Sequence, residues 1–566
     1  MKEYINRFLN YKKLSIILFF SVLLIVGILI FDDYGMSWDE YHHRANGFVS
    51  LNYIRSLLSL NTYSGFPNLE NYIAREYGVI FDLPMAYLEK LLLIEDSKNY
   101  FLMRHLTNFF IFFISCICFY LLLIKRFTYK LSMLGLFFFV LSPRIFAESF
   151  YNMKDLVFLS LFVISLYFSI IFLNKISYKS AFIASLLCSI VIGSRVLGII
   201  IPFIVAIFFI FESLDNKKYF NKNILKIVFF IFLCITFTVI FWPYLWSDPL
   251  VNFFSTFKNM SAFPWRGSVF YFGEYISGKS LPWHYPLVWI FITTPLLYLF
   301  LFISGTSLIV IRTIKMFLNL NEKNNTQNLW KDKNERLDII MFIIFYFTIF
   351  LVIKMNSTLY GGWRHLYFIY PSLIFIAVVG LEFLSKKFNH KYLLILIFPF
   401  LLNTAYWMIK NHPFQFVYFN TLAGKNINNN FELDYWGVSN KHSLEHILIN
   451  DSNKKIKLFV ASISPYIYSL EMFDKKDKKR IEFVNNVTNA DYLVTNHYYQ
   501  NGNPKILDYN FKNNYNLVKE LKINNNADPI GKYEENCSEY TEINSGFFVF
   551  LGFFVCLNAS SISFRV

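Results

Sequence analysis

Charge is scarce in this chain. Of its 566 residues only 16% are Asp, Glu, Lys or Arg, while 55% are hydrophobic and 20% aromatic. A soluble globular protein carries about 25% charged residues, so a water-bathed surface around a single core is excluded. Also missing is a small-residue cleavage site after the first apolar run, Leu14 to Phe31, which is moreover too long for the core of a secretion signal. The six cysteines form no metal-binding or redox pattern. Cys116, Cys118, Cys188 and Cys234 lie within apolar runs and read as small packing residues. Cys537 and Cys556 lie in the tail, and spacing alone leaves their pairing open. No internal repeat is visible, and no inverted pair of broken helices, which weakens a transporter reading.

Long apolar runs are what the chain has instead. Stretches of about eighteen residues can cross about 30 Å of hydrocarbon as helices. Eleven are predicted, near 14–31, 105–124, 131–148, 156–174, 180–196, 197–211, 227–243, 286–311, 337–354, 366–384 and 392–409. The formal charge of +15 does not signal nucleic acid. Its cations fall on alternate loops: Lys12 and Lys13, Lys125 and Arg126, Lys175 and Lys179, Lys217 to Lys226, Arg312 to Arg336, and Lys386 to Lys391. That alternation marks the cytoplasmic side, with some attraction for anionic lipid. The expected fold class is therefore an all-α polytopic membrane protein occupying about residues 1–410. After residue 410 Asn, Lys and Asp rise. "KIKLFVASIS" and "ADYLVTN" read as strands, so 411–566 is expected to hold a small extracytoplasmic α/β domain. "GFFVFLGFFVCL", Gly546 to Leu557, is short for a span and reads as a buried strand or interfacial segment, with a twelfth crossing left open. The first outer loop, 32–104, contains "YIRSLLSL" and "LPMAYLEKLLL", which suggest amphipathic helices lying on the membrane.

The concentrated polar motifs all fall on the outer side. They are "SWDEYHH" after the first span, "SPRIFAESFYNMKD" between spans three and four, "GSR" between five and six, "LPWHYP" before eight, and "YGGWRHLYFIYP" between nine and ten. "NHPFQFVYFN" and "FELDYWGVS" follow the last span. Ionisable side chains at membrane depth are costly and mark function by default. An outer-face transferase has no ready supply of nucleotide donors, whereas a polyprenyl-phosphate sugar reaches it through the bilayer. Attack on the anomeric carbon passes through an oxocarbenium-like state. The phosphate leaves without protonation, so one carboxylate base for the acceptor hydroxyl suffices, with cations to receive the charge on the leaving group. The acids available are Asp39, Glu40 and Asp155, and the cations are Arg195, Arg364 and His365.

In these motifs the chain resembles a membrane glycosyltransferase of the GT-C class, similar to the protein O-mannosyltransferase and lipid A aminoarabinose transferase group (glycosyltransferase 39-like). The resemblance covers about residues 10–410. It rests on the acidic pair in "WDE", on "PRIFAESFYNMKD" before span four, and on the "RH…P" element in "WRHLYFIYP". It implies an inverting transferase with a lipid-phosphate donor. Asp39 would be the base, Arg195 and Arg364 would hold the carrier phosphate, and Asp155 would position acceptor or sugar. The class often has "DxP" where this chain has "KDLVF", a departure that bears on Asp155.

Each residue also has a structural reading. Asp39 and Ser37 are good helix caps, and Glu40 could orient Asp39 or bind metal. His42 and His43 beside the acids leave a divalent metal open as a cofactor, but adjacent histidines point apart and no second His or Cys pair completes a site. Asp155 could pair with Lys154 or Arg144. Arg195 could snorkel to headgroups, and Arg364 could pair with an acid of the first loop. His412, Asp434 and Trp436 read as packing residues. The expected partners are a polyprenyl-phosphate-linked sugar, a protein, glycolipid or glycan acceptor, and the bilayer, with no nucleic acid. The expected location is a bacterial inner membrane with the site on the extracytoplasmic side. The alternatives are a transporter or flippase of lipid-linked sugars, and a non-catalytic scaffold for surface-glycan assembly.

Overall fold

The computed structural model describes residues 2–214, 216–261, 263–319, 330–498, 518, 520–524 and 561–565. Gly546 to Leu557, Cys537 and Cys556 lie outside them. The chain is mostly helical. Among the described residues eight helices are long and apolar enough to cross a membrane, and a ninth crossing arises if one bent pair counts as a span. Helix α1 is Lys2–Ile30, α4 Ser97–Ile124, α7 Asp155–Asn174, α9 Ile200–Ser213, α10 Lys217–Phe241, α13 Leu296–Asn319, α14 Lys333–Lys354 and α15 Tyr370–Lys387. The bent pair is α5, Tyr129–Val140, and α6, Pro143–Tyr151, meeting at 61°. Two shorter apolar helices, α8 (Tyr178–Ile192) and the Ile395–Lys410 part of α16 (His390–Lys410), coincide with the two remaining predicted segments. All eleven predicted segments are thus helical, whereas length and composition mark eight or nine as crossings.

Proline accounts for two departures from straight spans. The predicted run 131–148 breaks where Pro143 opens α6. Pro has no N–H to give and fixes its own φ, so it begins a helix better than it continues one. Likewise 286–311 divides into α12, Tyr285–Thr293, and α13, with Thr294 and Pro295 between them. Within the bundle, α7 and α15 are the most buried spans and α1 the least. Helices α13 and α15 meet at glycines. A Cβ on Gly305 would lie 1.9 Å from the Ile376 carbonyl oxygen, and one on Gly380 2.2 Å from that of Leu301. Small residues let the two backbones touch, the usual device where lipid offers no hydrophobic drive between helices.

One end of the bundle carries the elaborated connections. The first loop forms α2, Asp39–Leu57, and α3, Asp82–Leu91, packed on each other. Leu57, Leu58 and Leu60, with Leu91 to Leu93, leave an exposed apolar edge there. The 244–285 connection contains α11, Pro249–Ser261, and a hairpin of β1, Ser268–Tyr271, with β2, Glu274–Ser277. After α16 come α17, Asn440–Asn450, and a parallel sheet in the order β4 (Ile481–Phe483), β3 (Ile456–Val460), β5 (Tyr492–Val494). Leu458 pairs with both Phe483 and Tyr492. The predicted strands in "KIKLFVASIS" and "ADYLVTN" are β3 and β5. Their core includes Leu444, Ile456, Leu458 and Val494, and it takes in Met36 and Phe101 from the first loop and α4. This small α/β unit is therefore seated on the first loop.

Candidate active site

Asp155 opens α7 and is almost wholly buried, its side chain 1% exposed. Its position is set locally: the Asn152 side-chain oxygen accepts the Asp155 N–H at 2.8 Å, and Asn152 Nδ2 donates to Asp155 Oδ2 at 3.2 Å. A lone buried carboxylate would be prohibitively unfavourable. Two guanidiniums compensate it. Arg195 Nη2 bonds Oδ1, and Arg364 Nη1 bonds Oδ2 at 2.8 Å. Neither partner is the Lys154 or Arg144 that lies near it in sequence. Arg195 sits in the tight turn between α8 and a short 3-10 turn, Val196–Ile199. The Gly78 backbone approaches so closely that a Cβ there would lie 2.2 Å from the Gly193 carbonyl oxygen.

Arg364 is the hub. It begins a 3-10 turn, Arg364–Ile369, leading into α15, and its side chain is 3% exposed. Gly361 and Gly362 before it have φ of +63° and +69°, which side chains with a Cβ rarely adopt. A Cβ on Gly361 would come within 3.0 Å of Arg364 Nε. The guanidinium lies 4.6, 5.1 and 4.5 Å from the ring centroids of Tyr360, Tyr435 and Trp436. Its Nη2 is 3.9 Å from Asp39 Oδ2. Asp39 is the first residue of α2, makes no capping bond, and remains 34% exposed. Asp39, Asp155, Arg195 and Arg364, drawn from four connections, thus meet at one place. His365 adjoins them: its Nδ1 is buried without a partner among the described residues, and its ring lies 4.7 Å from that of Tyr360.

Glu40 turns the other way. It is fully buried, accepts the Ser37 N–H at 2.7 Å, and lies 3.0 Å from His105 Nε2. It fixes the start of α2, and with it Asp39. His43 bonds Asp82 at 3.0 Å, and His42 lies 6.0 Å from the Tyr468 ring. Among the described residues no three His, Cys, Asp or Glu side chains converge, and Asp155 is already engaged by two cations. This donor set does not fit a divalent metal.

Other side chains in the site were not singled out from sequence. Lys154 Nζ lies 3.4 Å from the Tyr77 ring centroid, and burial, then Arg195, pushes its pKa well below the usual lysine range. Glu148 accepts from Tyr367 and Asn152, both at 2.6 Å, and from Trp436 Nε1 at 3.3 Å. That network ties α6 to the 3-10 turn before α15 and to the stretch after α16. Glu432 accepts the Phe270 N–H at 3.0 Å, while its other oxygen is buried without a partner among the described residues. Burial pushes its pKa up to about 8. "SPRIFAESFYNMKD" and "FELDYWGVS" did mark these regions.

The stretch after α16 forms part of the wall. Trp38 N–H donates to the Trp436 carbonyl at 3.2 Å. Asp434 is buried and accepts from the N–H groups of Val438 and Ser439 and from the Ser439 hydroxyl, which fixes the turn carrying Tyr435 and Trp436. His412 bonds Asp33 at 2.7 Å, and Lys441 Nζ donates to the Asp32 carbonyl at 2.5 Å.

No family model and no curated protein matches the sequence. Among solved structures, the chain is similar to ArnT from Cupriavidus metallidurans bound to undecaprenyl phosphate, with 10% identity and a TM-score of 0.46, over 84% of this chain and 86% of that one. It is also similar to the oligosaccharyltransferase of Archaeoglobus fulgidus in the apo form, with 9% identity and a TM-score of 0.43, over 83% of this chain. For AglB of the same organism, in complex with an inhibitory peptide and a dolichol-phosphate, the values are 10%, 0.45 and 83%. The chain spans 65% of the length of these archaeal oligosaccharyltransferases.

Proposed function

We propose that this chain is an inverting glycosyltransferase that moves a sugar from a polyprenyl-phosphate donor to an acceptor hydroxyl at the outer face of a bacterial inner membrane. One observation carries the reading: a part-exposed carboxylate, Asp39, stands 3.9 Å from a guanidinium that is itself held by a buried carboxylate, Asp155. The acceptor oxygen attacks the anomeric carbon as the bond from that carbon to the phosphate oxygen breaks. Asp39 takes the hydroxyl proton. Arg195 and Arg364 receive the charge of the departing polyprenyl phosphate, and the planar fork of each suits that group. Asp155 holds both forks in place, so they need no reorganisation as charge develops. Glu40 orients Asp39 from behind, and His365 adds a donor beside the phosphate. The acceptor is a protein, a glycolipid or a growing glycan.

The test uses proteoliposomes containing the full chain or Asp39→Asn, a panel of radiolabelled polyprenyl-phosphate sugars and a mixed acceptor extract. Transfer by the native chain and its loss in an equally well-folded variant is the expected result. Equal transfer by both would move the base elsewhere. Movement of labelled lipid between leaflets without transfer would replace the reading with a flippase.

A further inference from the structure

The opposite end of the bundle holds a second polar site. Asp155 opens α7 and Asn174 closes it, so the two lie roughly 28 Å apart along the axis at 1.5 Å per residue. Near Asn174 a cavity of about 300 Å³ opens where α4 ends, α7 ends and α14 begins. Its polar lining comes from Lys125, Asn174, Lys333, Asn334 and Arg336, over an aliphatic floor that includes Leu337. None of its described lining residues is acidic.

The acids nearby are already occupied. Glu212 takes Arg336 Nη1. Asp332 caps α14 through the N–H groups of Asn334 and Glu335. Glu335 accepts the Lys331 N–H and faces Arg312. Arg336 Nη2 donates to the Asn174 side-chain oxygen Oδ1 at 2.7 Å, which leaves the NH₂ of the same amide to donate into the cavity. Lys125 and Lys333 make no ion pair among the described residues. The cavity therefore gathers uncompensated cations and amide donors above an apolar wall, at the level where spans end.

We infer that this cavity binds the phosphate of an anionic glycerophospholipid from the leaflet opposite the candidate active site. Cations with convergent N–H donors recognise a phosphate ester. The aliphatic floor selects a lipid over a free phosphate, because an acyl chain covers it and an inorganic ion leaves it bare. Basic pockets between span ends are a recurrent site for anionic headgroups.

Native mass spectrometry of the full chain, released from vesicles of equal phosphatidylglycerol and phosphatidylcholine, tests this. The variants are Lys125→Gln/Lys333→Gln and, as a control, Lys386→Gln/Lys387→Gln, two lysines at the same end outside the cavity. The native chain and the control should retain phosphatidylglycerol in preference. The cavity variant should lose that preference by about 30-fold, the worth of two lysines beside an anionic surface. Equal retention by native and cavity variants would overturn the site, as would an equal loss in the control. Displacement of the lipid by millimolar inorganic phosphate would overturn the lipid and leave a phosphate-ion site.

Discussion

Each end of the helical bundle buries a carboxylate between two arginines, and the two clusters are finished differently. At the far end Asp338, fully buried, takes Arg126 Nε and Nη2 at 2.9 and 3.2 Å and Arg312 Nη2 at 2.7 Å. Arg126 also reaches Glu382 at 3.0 Å. Asp155 likewise takes Arg195 and Arg364. There, however, Arg195 Nε is buried with no partner among the described residues, and Arg364 faces the part-exposed Asp39. The first cluster is closed and ties α14 to its neighbours. The second has donors left over and an acid within reach of water. Burying charge is compatible with either arrangement; the unspent donor and the part-exposed acid are what the second cluster has and the first lacks.

Removing the acid that distinguishes the two ends should have the largest effect. Asp39→Asn is expected to lower sugar transfer by about 10²- to 10⁴-fold with an unchanged melting curve. Full activity in that variant would erase the difference between the ends. Next come Asp155→Asn and Asp338→Asn. Asp155→Asn strands two largely buried guanidiniums, at a cost of about 3–5 kcal/mol; Asp338→Asn leaves Arg126 with Glu382 and Arg312 with Glu335 and should cost less, and both should melt lower in detergent. Only the Asp155 variant should also lose transfer per folded molecule.

Glu432 gives a pH test in the wall of the site. Its carboxyl stays protonated in the fold up to about pH 8, against about 4.3 when unfolded. The folded state therefore binds the extra proton between those values, and stability falls as pH rises across that window. Glu432→Gln mimics the protonated form. Its melting temperature should match the native chain near pH 4 and exceed it increasingly towards pH 8, and parallel curves throughout would remove Glu432 from this role. Arg195→Lys keeps the charge but loses the fork, so KM for the lipid donor should rise about tenfold, while Arg312→Lys leaves KM alone. The smallest effect belongs to Lys386→Ala. Its ion pair with Glu382 is exposed, and such pairs contribute about 0–1 kcal/mol, so thermal melting should scarcely move.

The spans were legible because hydrophobicity is a local property, and each of the eleven apolar runs is helical. The breaks at Pro143 and Pro295 are not legible in hydropathy alone, although both prolines stand in plain view, because the apolar runs continue on either side of them. For the site, the sequence brought Asp39, Asp155, Arg195 and Arg364 to one face through loop order alone. It could not pair them. In the chain Lys154 and Arg144 stand nearest to Asp155, yet it takes arginines 40 and 209 positions away. Arg364 does face an acid of the first loop, as one reading allowed, and that acid is Asp39. Glu40 stood beside Asp39 with the same chemistry; only the turn of α2 sends one to Arg364 and the other to His105. Partner choice of this kind is decided by packing, which no single segment encodes.

The wall formed by Tyr435 and Trp436 has a consequence in time. Asp39 emerges from the ribosome early, Arg364 much later, and the aromatic residues that cover Arg364 later still. A nascent chain with most of its spans inserted carries both arginines and both acids, yet Arg364 lacks two of its three rings and α2 lacks its anchor at the Trp436 carbonyl. The surroundings of Arg364 are thus completed only when the stretch beyond α16 folds back onto the first loop.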